Sequence, residues 1–150
     1  MAFRGEHAHA IDAKGRTSLP AKFREALAAE KETSLIVTRE PWDECLLAYP
    51  LPEWKRLEEK LDAQPQFDKE VVLFKRVFIA PAQEIDIDGM GRLLIPQSLR
   101  DYADLTKEVV WVGQVRTIQL WSQDRWKKAQ AQAQDELAKA PVAARLRALL

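Results

Sequence analysis

Between residues 34 and 49 the apolar positions come in short unbroken runs rather than at helical spacing. Ser34-Leu35-Ile36-Val37-Thr38-Arg39 is rich in β-branched residues, and Cys45-Leu46-Leu47-Ala48-Tyr49 follows the turn formers Pro41-Trp42-Asp43, so two strands are predicted there. Upstream, Glu6 to Asp12 and Arg16 to Leu19 flank Lys14-Gly15, where glycine can take the positive φ of a tight turn; the pattern predicts a hairpin. Pro20 then presets φ for a helix carrying Lys22, Phe23 and Leu27.

The same order returns 76 positions later. Ile11-Asp12-Ala13-Lys14-Gly15-Arg16-Thr17-Ser18-Leu19-Pro20 is matched by Ile87-Asp88-Gly89-Met90-Gly91-Arg92-Leu93-Leu94-Ile95-Pro96, and the repeat extends to Phe23-Arg24 and Leu99-Arg100. The second copy predicts strands at Glu84 to Asp88, Arg92 to Ile95, Val109 to Val115 and Thr117 to Trp121, with a helix from Pro96 to about Ala103. The expected fold class is therefore a mainly β core with added helices, built from two related units. Neither unit, at roughly 45–50 residues, has enough apolar surface to stand alone, so the two are expected to share a core.

Three helical segments surround these units. Pro52 opens the first, with Trp54, Leu57 and Leu61 on one face and Pro65 after its end. The second runs from about Asp68 to Ile79 and carries Val71, Val72, Leu73, Phe74, Val77 and Phe78, a wide apolar face that predicts burial within the chain or at a subunit contact. Ser122 is the predicted N-cap of the third, with Trp126, Ala129, Ala133 and Leu137 on one side. Pro141 breaks it, and the tail from Val142 to Leu150 carries no assigned function.

Composition narrows the functional classes. Lysine plus arginine and aspartate plus glutamate number 23 each, and this balance excludes a generally basic polyanion binder, so any nucleic-acid face must be local. One local surplus exists: Met1 to Glu25 holds Arg4, Lys14, Arg16, Lys22 and Arg24 against Glu6, Asp12 and Glu25, together with both histidines. The second turn has Asp86 and Asp88 nearby and no lysine matching Lys14, so the copies are expected to have specialised, the first towards DNA. Cys45 is the only cysteine, which rules out a disulfide within one chain and suits a reducing compartment. Met1 to His7 lacks the apolar run of a signal peptide, and no stretch approaches the roughly 18 apolar residues of a membrane span, so the expected location is cytoplasmic with no membrane partner.

The glycine turns are the strongest candidate chemistry. Arg16 and Arg92 lie just beyond them, where a planar guanidinium can reach guanine O6 and N7 in a DNA major groove that admits a β ribbon. The plainer alternative is that each arginine pairs with its own aspartate, Asp12 or Asp88, and locks the turn. His7 and His9 face the same way on a strand, as metal ligands do, but no third ligand is at hand, and surface histidines near a polyanion site are the favoured reading. No serine or cysteine sits in a nucleophile motif, and the glycines form no phosphate loop, so no enzyme activity, cofactor or metal is expected. Of the five tryptophans, Trp54, Trp111, Trp121 and Trp126 lie on apolar faces and are read as packing rather than as a single-strand stacking platform, a role also weighed for Trp42.

Ile11-Asp12-Ala13-Lys14-Gly15-Arg16 with Leu19-Pro20 and Phe23-Arg24 resembles the signature of the AbrB/SpoVT-type (AbrB/MazE/MraZ-like) DNA-binding domain family, and Ile87 to Arg100 resembles it again. Two copies flanked by Phe3-Arg4-Gly5-Glu6, Tyr49-Pro50-Leu51-Pro52-Glu53-Trp54 and Phe74-Lys75-Arg76-Val77-Phe78 are similar to the MraZ-type regulators of that family. The resemblance implies a swapped-hairpin, double-split β-barrel of two pseudo-twofold AbrB-like repeats, 6–52 and 82–125, with connecting helices at 53–81 and a C-terminal helix and tail at 126–150. It implies a ring-like homo-oligomer, nucleoid-associated, that binds repeated promoter boxes in double-stranded DNA and represses the division and cell-wall gene cluster. The family's DNA-binding motif falls on Asp12 with Arg16 and on Asp88 with Arg92. On that reading Arg16 reads a base, Lys14 and Arg4 hold phosphates, Arg92 is the second copy's counterpart, and Asp12, Gly15, Asp88 and Gly91 shape the turns. An antitoxin-like relative whose partner is a toxin protein is the alternative. Thr17-Ser18 departs from the branched apolar pair common after Gly-Arg, whereas Leu93-Leu94-Ile95 keeps it.

Overall fold

The computed structural model describes residues 1–139 and 141–150. The first copy forms β1 (Glu6–Ala10), β2 (Arg16–Ser18), α1 (Ala21–Ala29), β3 (Ser34–Arg39) and β4 (Leu46–Pro50). The connection holds α2 (Leu51–Asp62) and α3 (Lys69–Phe74). The second copy repeats the plan as β5 (Gln83–Asp86), β6 (Arg92–Leu94), α4 (Gln97–Ala103), β7 (Glu108–Gly113) and β8 (Ile118–Ser122), followed by α5 (Gln123–Leu137) and α6 (Val142–Arg147).

Backbone pairing interleaves the copies. Six antiparallel strands run in the order β1-β7-β8-β4-β3-β5, so each copy's first strand lies on the other copy's third, and β4 meets β8 at the centre. β2 and β6 pair separately, with Thr17 opposite Leu93. Exchanging the copies maps this order onto itself. One continuous core follows, to which the first copy contributes Leu19, Phe23, Leu27, Leu35 and Val37 and the second Leu93, Ile95, Leu99, Trp111 and Leu120.

Three expectations need correction. The expected hairpin at Lys14-Gly15 shrinks to one bridge, Ile11 to Thr17, because β1 finds its ladder on β7 and β2 finds its own on β6. Nor is a closed barrel formed among the described residues: β1 and β5 are the edges of the larger sheet, and β2 with β6 stands as its own pair. Three-residue strands, each about 10 Å long, are too short to zip two sheet edges together. The strand expected to reach Val115 stops at Gly113, where the backbone of Phe3 and Arg4 crosses too closely for any Cβ. Val115 instead takes φ 69° in the turn and exchanges two backbone hydrogen bonds with Phe3.

The helices largely follow their patterns. Asp68 caps α3, but the chain continues from Lys75 to Ile79 as a π-helical turn, with Ala80 N donating to Lys75 O at 2.9 Å. The wider turn seats buried Phe78 against Trp54, Tyr49 and Phe74, and frees its carbonyl to accept from Thr38 Oγ1 at 2.6 Å. Val72, Leu73 and Val77 remain exposed, so burial within the chain covers only part of that face. Ser122 caps α5 as expected, and Trp126 and Ala129 pack on the sheet through Trp121, Val110 and Val112, while Ala133 and Leu137 stay exposed. Beyond Pro141 the tail forms the short helix α6. Among the described residues no helix is long and apolar enough to cross a membrane.

Leu93 is fully buried at the middle of the β2-β6 pair. Leu93→Ala is expected to cost about 2–5 kcal/mol in urea unfolding while leaving a single transition, since both copies share one core; two separated transitions would contradict that sharing.

Candidate nucleic-acid interface

Each turn is organised by one carboxylate. Asp12 Oδ1 accepts from the backbone N–H of Lys14 at 3.0 Å and of Arg16 at 2.9 Å, while Oδ2 accepts from Arg16 Nε at 2.8 Å. The second turn repeats this closely: Asp88 Oδ1 accepts from Met90 N and Arg92 N, both at 2.9 Å, and Oδ2 from Arg92 Nε at 3.0 Å. Gly15 at φ 95° and Gly91 at φ 77° close the turns in a backbone region that side chains disfavour. Aspartate suits the first position because its short side chain can reach backbone donors two and four residues on. The backbone N–H of Arg16 is the main reason the Asp12 pKa falls to about 2, against the partly opposing effect of burial, and the Arg16 side chain adds to it. Asp88 is lowered by the equivalent bond from Arg92.

Both readings of the arginines find a place in this geometry. Arg16 and Arg92 pair with their own aspartates through Nε alone; among the described residues their Nη atoms make no hydrogen bond to protein. Their side chains are 37% and 31% exposed, so neither guanidinium is sealed in the core. Lys14 is exposed beside Arg16, but Arg4 is not brought to this turn. β1 separates them by five residues at about 3.3 Å each, and Arg4 lies instead with Lys22, His7 and Phe23 around a shallow depression.

The copies also complete one another's turns, which local pattern did not reveal. Gly15 O accepts from Ile95 N at 2.8 Å, and Gly91 O accepts from Leu19 N at 2.9 Å. Arg100 lies across Gly15, its Nε donating to Ile95 O at 2.9 Å, and Arg24 lies across Gly91. The one available signal was that Arg24 and Arg100 close the repeated segment at the same spacing as the aspartates.

The remaining candidates are structural in this arrangement. His7 meets Phe23 edge-on at 4.9 Å, and its Nε2 lies 3.2 Å from Arg4 O. Burial first, then the charges of His7 and Arg24, lower the His9 pKa below the usual histidine value. Among the described residues no three His, Cys, Asp or Glu side chains gather as a metal site. Trp54, Trp111 and Trp121 are buried, Trp126 packs on Trp121, and only Trp42 is largely exposed. Thr17 is buried despite its hydroxyl, and Oγ1 has no hydrogen-bond partner, so it fills the place of a branched apolar residue.

Because the Asp12 pKa is depressed from 3.8 to about 2, its stabilising bonds are complete above pH 3.8 and are lost as pH falls through about 2. Carboxyl NMR titration is expected to find Asp12 still ionised at pH 3; a midpoint at its ordinary value would show the turn to be unformed. Gly15→Ala is expected to cost about 1–3 kcal/mol in the same unfolding assay, since a Cβ there would lie 2.7 Å from Ile95 O.

A family model described as "MraZ protein, putative antitoxin-like" matches the chain twice, over residues 2–77 and 78–148. The transcriptional regulator MraZ of Azotobacter vinelandii is 46% identical over 124 residues, covering 83% of this chain and 82% of the relative. That of Desulfitobacterium hafniense is 44% identical over 138 residues, covering 92% and 93%, and that of a Marinomonas species is 40% identical over 135, covering 90% and 87%. With two tandem matches and relatives aligned along most of their length, the chain belongs to the MraZ family.

Proposed function

We propose that this chain is a sequence-specific DNA-binding transcriptional regulator, acting without catalysis or a cofactor through its two aspartate-ordered turns. The observation that carries the reading is the matched geometry of Asp12-Gly15-Arg16 and Asp88-Gly91-Arg92. Nε of each arginine is held by a carboxylate while the Nη edge is left for a ligand, which limits the rotamer freedom lost when bidentate bonds form to a base. The names of the relatives, transcriptional regulator MraZ, support the same conclusion.

In this reading Arg16 contacts a base, Lys14 an adjacent phosphate, and Arg92 does the equivalent work at the second turn. Arg4, at the other end of β1, holds a separate phosphate with Lys22. Repeats 6–52 and 82–125, linked by helices 53–81, act as one unit, an opened relative of the double-split barrel; 126–150 packs outside it. A ring-like homo-oligomer would engage repeated promoter boxes with several turns at once, multiplying weak contacts. The inferred role is repression of the division and cell-wall gene cluster, in the cytoplasm at the nucleoid. The family description also contains the word antitoxin, which supports a second reading in which a toxin protein is the partner; co-purification of a stoichiometric small protein would favour it.

Arg16→Ala, measured against the DNA upstream of its own gene, is expected to lose about 1–3 kcal/mol of discrimination per turn engaged. Unchanged affinity and unchanged sequence preference would remove Arg16 from the interface.

A further inference from the structure

The second turn looks poorer in charge than the first, because Met90 stands where Lys14 stands in the first copy. The fold changes that balance. Arg24, from the first copy's α1, lies across Gly91 with its guanidinium against the turn backbone next to Arg92. Arg100 occupies the equivalent place over Gly15, but the two are not in the same state. Arg100 is half-buried and tied by its Nε to the carbonyl of Ile95. Arg24 is exposed, and among the described residues it has neither a hydrogen bond nor an ion pair to protein. The carboxylate that organises that turn, Asp88, is already occupied by Arg92 and two backbone N–H groups.

Two guanidinium groups on one turn, with one carboxylate committed to the first, leave a positive charge without a partner. Both guanidinium groups are positive and sit at the same turn, so an anion placed there would be attracted by both. The charge is felt locally, since Arg24 is one of the groups that depress His9. A phosphate has the matching chemistry: the planar guanidinium can offer it two parallel N–H donors, and Gly91, lacking a side chain, lets the group lie flat on the turn.

We propose that Arg24 is a DNA-phosphate contact belonging to the second turn, so that each turn presents a base-reaching arginine and a second cation, Lys14 in the first turn and, supplied by the other copy, Arg24 in the second. Arg100, with its Nε committed, is a positioning residue for Gly15. This assignment rests on the DNA reading and adds to it: the second turn is a functional half of the interface, and its phosphate contact exists only when the copies are interleaved.

The test is the salt dependence of binding. The full chain and its Arg24→Gln and Arg24→Lys variants are titrated onto the upstream duplex and an unrelated duplex between about 50 and 200 mM salt. Arg24→Gln is expected to weaken binding to both duplexes by the same factor and to lower the log–log salt slope by about 0.9 for each second turn engaged. Arg24→Lys is expected to keep the slope, since it keeps the charge. Both variants are expected to melt with the unsubstituted protein, because Arg24 has no internal bond to lose. An unchanged slope in Arg24→Gln would overturn the assignment while leaving the DNA reading intact, as would a loss of affinity that merely tracks a lowered melting temperature. If the unsubstituted protein fails to bind either duplex, the DNA reading and the assignment fall together.

Discussion

The exchange of first strands between the two copies is the constraint on which everything else rests. β1 has its ladder on β7 and β5 has its ladder on β3, so neither copy can satisfy its own backbone donors and acceptors. Even the residues that leave the large sheet obey the rule, with Ile11 N donating to Lys107 O and Ile87 N to Thr33 O. Burial reinforces it: Phe23 and Leu27 of α1, Leu93 of β6, and Leu99 and Ala103 of α4 are buried in one cluster drawn from both copies. A unit of this size gains too little from its own core to offset its conformational entropy, and pooling two halves removes that limit.

The proposed function follows from where the exchange leaves the turns. Once β1 and β5 are committed elsewhere, the Asp-x-x-Gly-Arg segments are left as tight corners between a long sheet and a short pair. Each corner is stiffened locally by its aspartate and from across the molecule by a backbone bond to the other copy's segment. The result is a rigid mount for a long cationic side chain, which is what the proposed reading of a duplex would require of a protein with no net charge to spread over its surface. The plain reading of the arginines and the functional one cease to compete here, because the carboxylate that pairs with Nε also limits where the rest of the guanidinium can go.

Much of this was legible in the sequence because it is local chemistry. The Asp-Gly-Arg spacing encodes the turn, Pro20 and Pro96 mark the helix starts, and β-branched runs mark β3 and β7. What was not legible is pairing at long range. Nothing in Glu6 to Ala10 says that its partner lies about a hundred residues away on β7 rather than across the adjacent turn, because an alternating strand is compatible with either neighbour. The local hairpin gave way on this point, and no closed barrel is found among the described residues. Arg4 and Lys14, close in sequence, are likewise set apart by the length of β1. The roles of Arg24 and Arg100 were hidden for the same reason: each acts on a turn of the other copy. Thr17 shows the opposite case, in which a β-branched shape proved sufficient for core packing although its hydroxyl suggested otherwise.

The most direct test of the interleaving is to divide the chain between α2 and α3, producing 1–64 and 65–150 as separate polypeptides, and to follow each and their mixture by amide NMR and sedimentation. The account predicts that neither half alone yields a folded monomer and that mixing them restores the spectrum of the intact chain in a one-to-one complex. A well-dispersed spectrum from either half as a monomer would contradict it.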